Sequence, residues 1–493
     1  MQISPRTHLL ALKNGHFSIA QLFVFSLPII LGLGLGFLIW MGDWHFAFAL
    51  VALVPLAIIF SVRPFVGVIV WLLFMPLSSA LPDPRLMFWI FHRLLVPFTL
   101  IMALFPHLLK APRVVRLKLG LPELAIAIMI FLVMVSIFLI GASRGFIWNK
   151  YIDRLLIPLC MYLAVRFITP DDRDMKILQW TAFAIIITQS TIGFMSWVTP
   201  QLLPRAWHHL FGARTAGSLL DPAVFTSLLI FCAMLLFHAA IQEKSRQIRL
   251  LFLLACVVSY VCVFISLERG SWLAGSLVLL GLFVLYPKVI PRFLLIAAVV
   301  IALTGGLFSK QIALAGQRMG DQNPIDARIV VTDAMLQMIR LKPVFGWGYD
   351  TLDLNIRQFY RQVGFAFISM QHRLETSHNT YLTILTELGI VGFFLYMLPI
   401  FCLVVESLRV WRVQPRVKPA WIILLSTLWL AALHNFVVSN FMDMRFFPIG
   451  LTLWWMTLAL IANSLSQNPN PQASIASKRV PTQRRHDHPL AGL

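Results

Sequence analysis

A histidine and an asparagine open the stretch richest in chemical possibility, Ser377-His378-Asn379-Thr380-Tyr381, which runs on to Glu387-Leu388-Gly389-Ile390-Val391-Gly392. It leads into a long apolar run, so a helix is expected to start here with Ser377 as its N-cap. His378 would then lie in the first turn, where the helix N-terminus disfavours the imidazolium and leaves a neutral imidazole fit to act as a base. Gly389 and Gly392, three residues apart, would let a neighbouring helix approach closely. The competing reading is an ordinary interfacial histidine. Two hydrophilic stretches precede this one. Residues 199–222 hold Arg205, Trp207, His208, His209, Arg214 and Asp221, and residues 309–377 hold Lys310, Arg318, Arg328, Arg340, Lys342, Arg357, Arg361 and Arg373.

The rest of the chain must position these groups, and its composition says how. Of 493 residues, 59% are hydrophobic and 12% charged, against roughly 45–50% and about 25% in a soluble domain. Water could not accommodate so much apolar surface, and the chain reads as an all-α integral membrane protein. Its net charge of +20 would suggest nucleic acid in a soluble protein. Here it follows from the enrichment of Lys and Arg in short cytoplasmic loops, and no nucleic-acid partner is expected. Cys160, Cys232, Cys256, Cys262 and Cys402 all lie in apolar runs and read as small buried side chains, not as a disulfide or metal framework. The first apolar run is too long for a signal peptide's core and reads as a span.

A span needs roughly 20 apolar residues. About fourteen segments qualify: 21–40, 44–61, 65–81, 86–106, 120–140, 154–169, 176–198, 223–241, 249–267, 271–287, 290–308, 380–405, 420–438 and 447–463. With that count, the clusters Lys110–Lys118, Arg166–Lys176, Lys244–Arg249, Lys288–Arg292, Arg409–Lys418 and Lys478–Arg485 all fall on one side. That side is the cytoplasm, and both termini lie there. The chain divides into N-terminal spans (1–198), spans with an Arg-bearing outer loop (199–308), a large outer loop (309–377), C-terminal spans (378–463) and a basic tail (464–493) that reads as disordered. Within the large loop, apolar spacing over Pro324–Leu341 suggests an amphipathic helix with Asn323 as N-cap, followed by a turn-rich link from Lys342 to Tyr349.

Arginines on the outer side run against the topological bias and need another cause. Three stretches, together with the His-Asn helix, resemble the bacterial O-antigen ligase and polysaccharide polymerase family. Arg214-Thr-Ala-Gly217-Ser-Leu-Leu-Asp221-Pro222 is similar to its Arg-x-x-Gly segment before a span. Ser266-Leu-Glu268-Arg269-Gly270 resembles its Ser-Arg-Gly element, with Glu268 standing where a small residue is usual and able to pair with Arg269. Arg328 followed by Lys342-Pro343-Val344-Phe345-Gly346-Trp347-Gly348 resembles its Arg…Pro-x-x-Gly-x-Gly run.

The resemblance implies inverting glycosyl transfer at the periplasmic face of the bacterial inner membrane. The donor would be an undecaprenyl-diphosphate-linked glycan, and the acceptor a lipid A core sugar or another lipid-linked glycan. Arg214, Arg269 and Arg328 would hold the diphosphate, a task that arginine forks perform without metal. His378 would take or orient the acceptor proton, with Asn379, Gly389, Gly392 and Asp221 in support. No cofactor is implied. The bland readings are a lipid-anchoring Arg214, an Arg93 that snorkels to the interface, loop-surface histidines at 208 and 209, and Trp454 and Trp455 in an interfacial belt. The rival functions are a transporter or flippase for an anionic solute or lipid-linked sugar, and a non-enzymatic scaffold.

Overall fold

The computed structural model describes Gly36 and residues 58–80, 83–108, 119–140, 144–208, 214–304, 306, 309–320, 323–362, 377–413 and 420–466, all in helices, turns and connecting loops with no strand among them. In chain order the helices are α1 (Phe65–Phe74), α2 (Pro84–Phe88), α3 (Leu95–Leu108), α4 (Leu121–Ile140), α5 (Arg144–Tyr151), α6 (Ile157–Ile168) and α7 (Asp172–Val198). They continue with α8 (Pro222–Gln242), α9 (Arg246–Ile265), α10 (Arg269–Leu285), α11 (Ile290–Thr304), α12 (Ser309–Gly320) and α13 (Asn323–Leu341). The last are α14 (Leu352–Asn355), α15 (Thr380–Val413), α16 (Ala420–Val438) and α17 (Pro448–Ser466). Turns of π-helix, Trp89–Leu94 and Ile152–Leu156, join α2 to α3 and α5 to α6.

Eight runs among the described residues are long and apolar enough to cross a membrane: Pro84–His107, Leu121–Leu139, α7, α8, α9, Thr380–Arg412, α16 and α17. Phe65–Ala80 and α10 are shorter apolar helices, and α6 and α11 cover two more of the expected segments. Segment 21–40 apart from Gly36, most of 44–61, and the tail from 467 lie outside the described residues. The chain is a multi-pass membrane protein.

α8 explains the packing. It is apolar all round and therefore buried almost all round, from Pro222 to Ala240. Neighbours α7, α9 and α16 surround it. α17 is buried nearly as completely and packs on α6, while α15 packs on α4 and α10 on α16. The interfacial belt expected of Trp454 and Trp455 is not found. Both are buried in α17, and Trp455 meets the rings of Tyr162 and Tyr396 edge-on. A continuous core extends far enough to claim aromatic side chains that the sequence would assign to the interface. Of the cysteines, Cys232, Cys256 and Cys262 are buried as expected, while Cys160 and Cys402 are partly exposed.

Charged side chains gather at the two ends of the bundle. At one end Glu123 pairs with Arg166 at 3.1 Å and accepts from Tyr162, while Arg166 also donates to Asn463. At the other, Arg93 makes a two-pronged pair with Asp153, both contacts 2.7 Å. Arg93, expected to reach toward the interface, is held by a carboxylate in the facing π turn. Asp350 there joins Lys150 at 2.6 Å and Arg154 at 3.0 Å, tying the segment after α13 to the α5–α6 join. α13 begins within a residue of its expected start; α12 and α14 were not anticipated, α14 being too short to show a period.

Candidate functional site

Four segments bring the expected residues together at the second end. The first is the loop into α8. Asp221 caps that helix, accepting from the N–H groups of Ala223 (2.9 Å) and Val224 (3.0 Å), with Pro222 at the first helical position. Farther back, Ser218 donates to the Pro76 carbonyl and accepts from Gln189, anchoring the loop to the bundle. Arg214 stands at its start. Burial pushes the Asp221 carboxyl up to about 6, Glu268 adding to the effect and the two capping N–H groups and Arg214 opposing it.

The second is the turn before α10. Glu268, which the sequence sets beside Arg269, has its carboxylate opposite Arg214 of the preceding loop, Nη1 to Oε2 3.6 Å. The side chain of Glu268 is 7% exposed and that of Arg214 26%, so the arginine keeps an open face while the carboxylate does not. Arg269 starts α10 beside Gly270, whose Cα lies so close to Phe441 that an added Cβ would come within 2.8 Å of it.

The third is α13. Arg328 donates to the Phe441 carbonyl at 3.2 Å and lies over that ring, 6.0 Å from its centre. Burial, Arg269 and Arg214 hold its guanidinium below the ordinary value, with Glu268 pulling the other way. Three arginines and one carboxylate therefore share one electrostatic neighbourhood.

The fourth is the entry to α15, and here the structure corrects the expected cap. Asn379, not Ser377, caps the helix: its Oδ1 accepts from the Leu382 N–H at 2.9 Å, and helical geometry starts at Thr380. His378 precedes the helix with φ 49°. Ser377 instead bonds to Thr383 and lies 3.5 Å from Asp443. Burial, then Arg328, and also Arg214 hold the His378 imidazole below its ordinary value, against the opposing charge of Asp443. The neutral imidazole is thus favoured by burial and neighbouring arginines, and not by a first-turn position.

Backbone strain marks the same places. Of the five described non-glycine residues with positive φ, Leu220, Leu267 and His378 lie in three of these four segments. Such conformations persist only where surrounding contacts impose them.

Gly389 and Gly392 do not form a helix-packing seam. Gly389 has φ 64° and ψ −168°, breaking α15. Into the break docks the Pro343–Gly348 link: Ile390 and Val391 donate to the carbonyls of Pro343 and Val344, while Trp347 and Gly348 donate to those of Thr386 and Glu387. A Cβ on Gly346 would strike Glu387 and one on Gly389 would strike Val344. The contact that a Cβ on Gly392 would meet is Leu388 of its own helix.

Two groups escaped the sequence reading. Arg445 bridges Glu387 (2.7 Å) and Asp443 (2.9 Å), all three buried. Asp443 would be pushed up by burial, yet Arg445 holds its carboxyl below the usual range. The available signal was Arg445 itself, a basic residue in a connection that the expected topology puts on the side the charge bias disfavours. His208 lies in the loop before α8, its ring against the Leu203 carbonyl; His209 lies outside the described residues.

The bundle makes this a polytopic membrane protein in which Arg214, Arg269, Arg328 and His378 gather at one end. Residues 252–397 match the family model described as O-antigen ligase, which bears out the resemblance to the O-antigen ligase and polysaccharide polymerase family. The match takes in Arg269, Arg328, His378, Asn379, Gly389 and Gly392, whereas Arg214, Asp221, Asp443 and Arg445 come from outside it. No curated protein matches the chain.

Proposed function

We propose that the protein transfers a glycan from undecaprenyl diphosphate to a sugar hydroxyl, with inversion and without metal, as an O-antigen ligase or an O-antigen or exopolysaccharide polymerase. The observation that carries this reading is the convergence of Arg214, Arg269 and Arg328 on one neighbourhood that also includes His378. Arginine forks match diphosphate oxygens and stabilise the negative charge that develops as the leaving group departs. The acceptor oxygen attacks the anomeric carbon and the bond to the diphosphate oxygen breaks, the electron pair leaving with the lipid diphosphate. The hydroxyl proton passes to the neutral His378 imidazole. Asn379 fixes the start of α15 and Asp221 the loop that bears Arg214.

The same reading assigns this end of the bundle to the periplasm, with about fourteen spans, both termini in the cytoplasm and the bacterial inner membrane as location. The alternating basic loops support it, since Arg166 joins Asn463 at the opposite end. The test is transfer from a purified undecaprenyl-diphosphate-linked glycan to a sugar acceptor, with chelator present. Solute uptake that requires His378, with no transfer, would instead favour the transporter.

A further inference from the structure

Beside the arginine cluster runs a groove of about 520 Å³, lined by Arg328, Ile329, Thr332, Asp333, Leu336, Asn440 and Phe441. One wall is a face of α13 and the other is the loop after α16. Its volume lies in the range of about 300–1,000 Å³ usual for small-ligand sites. We propose that this groove binds the acceptor glycan, an inference that rests on the glycan-transfer reading above.

The lining selects the chemistry. Thr332, Asp333 and Asn440 offer a hydroxyl, a carboxylate and an amide, groups suited to sugar hydroxyls. Ile329, Leu336 and Phe441 offer apolar faces on which the C–H faces of a sugar ring can rest. A diphosphate fits poorly, because Arg328 is the one cation among the lining residues and Asp333 would repel it. A polyprenyl chain fits poorly as well, because it would strip water from three polar side chains and return no hydrogen bonds.

Position favours acceptor over donor. The loop wall is tied to both halves of the site: the Asn440 carbonyl accepts from the Asn379 side chain at 3.3 Å, next to His378, and Phe441 lies against Gly270, next to Arg269. The groove thus borders, through Asn440, the residue that follows His378, and shares Arg328 with the arginine cluster.

The experiment uses the full-length protein, an undecaprenyl-diphosphate-linked glycan as donor, and a lipid A core oligosaccharide or a second lipid-linked glycan as acceptor. Thr332→Trp and Leu336→Trp each fill the groove, and Leu336 is exposed, so its variant should fold. Expected is an acceptor KM raised about tenfold or more, with donor KM and donor binding near the unmodified values. Unchanged acceptor KM in both variants, at an unaltered melting temperature, overturns the proposal. A raised donor KM overturns it too, since the groove would then hold the donor's glycan. If the unmodified protein transfers to neither acceptor, the glycan-transfer reading fails and the groove assignment falls with it; if it transfers normally, only the groove is at stake.

Discussion

Arg214 and Glu268 face each other at 3.6 Å, a loose ion pair between a loop and a helix start that are far apart in sequence. The carboxylate orients the guanidinium without taking it out of reach of a ligand. Both Arg214→Ala and Arg214→Lys are expected to abolish transfer, since lysine cannot present two parallel donors to a diphosphate. Transfer from the lipid-linked donor measures this, and full activity in the lysine variant would reduce Arg214 to a point charge.

His378→Ala should lower transfer by about 10²-fold or more while donor binding survives, because the diphosphate is assigned to the arginines. The pH profile adds a signed test. The neutral imidazole is the working form, so the rate falls as pH drops through the His378 pKa, which burial, Arg328 and Arg214 hold below the ordinary histidine value. Arg328→Gln removes one of those positive charges and should move the acid limb to higher pH. An unmoved limb would assign the titration to another group.

Removing Arg445 should harm the fold more than the chemistry. Arg445→Ala leaves Glu387 and Asp443 buried without their cation, a loss of about 3–5 kcal/mol for a broken buried pair. The triple change Glu387→Gln, Asp443→Asn, Arg445→Leu should recover much of that stability, read as melting temperature in detergent. No recovery would mean that the three act through something other than mutual charge.

Gly389→Ala should destabilise the protein by about 1–3 kcal/mol from backbone strain alone, with the clash against Val344 added. Gly346→Ala should behave alike, since its Cβ would meet Glu387. A stable Gly389→Ala variant would show that the helix can close without the docked link.

Reporter fusions after Lys118, Arg246 and Arg416 should report cytoplasm, and one at Gln358 periplasm. A cytoplasmic signal at Gln358 would defeat the transfer reading, whose donor is presented outside.

Much of the fold was legible because hydropathy is local. The segments expected at 176–198 and 223–241 differ from α7 and α8 by no more than a few residues. The site residues were legible because the expected topology puts these arginines on the side that the charge bias disfavours, and the structure gathers those of three motifs. Pairings across the chain were not. Nothing next to Glu268 says that Arg214, far back in the chain, comes within 3.6 Å of it, and nothing next to Arg93 says that Asp153 faces it. Ser377 and Asn379 are both good caps, and spacing could not choose between them. Gly389 fits a packing seam or a broken helix equally well until its torsion angles are seen.

The docked link also limits how this protein can be recombined. An extramembrane loop is ordinarily a cassette, exchangeable between relatives because its ends alone must fit. Here the amides of Ile390 and Val391 and the carbonyls of Thr386 and Glu387 depend on Pro343–Gly348 for partners. A chimera cut between that link and α15 would pair one parent's helix break with another's loop, orphaning four polar groups inside the protein. The unit that can be exchanged must carry residues 343–348 together with Gly389, so this link and the bundle are inherited as one piece.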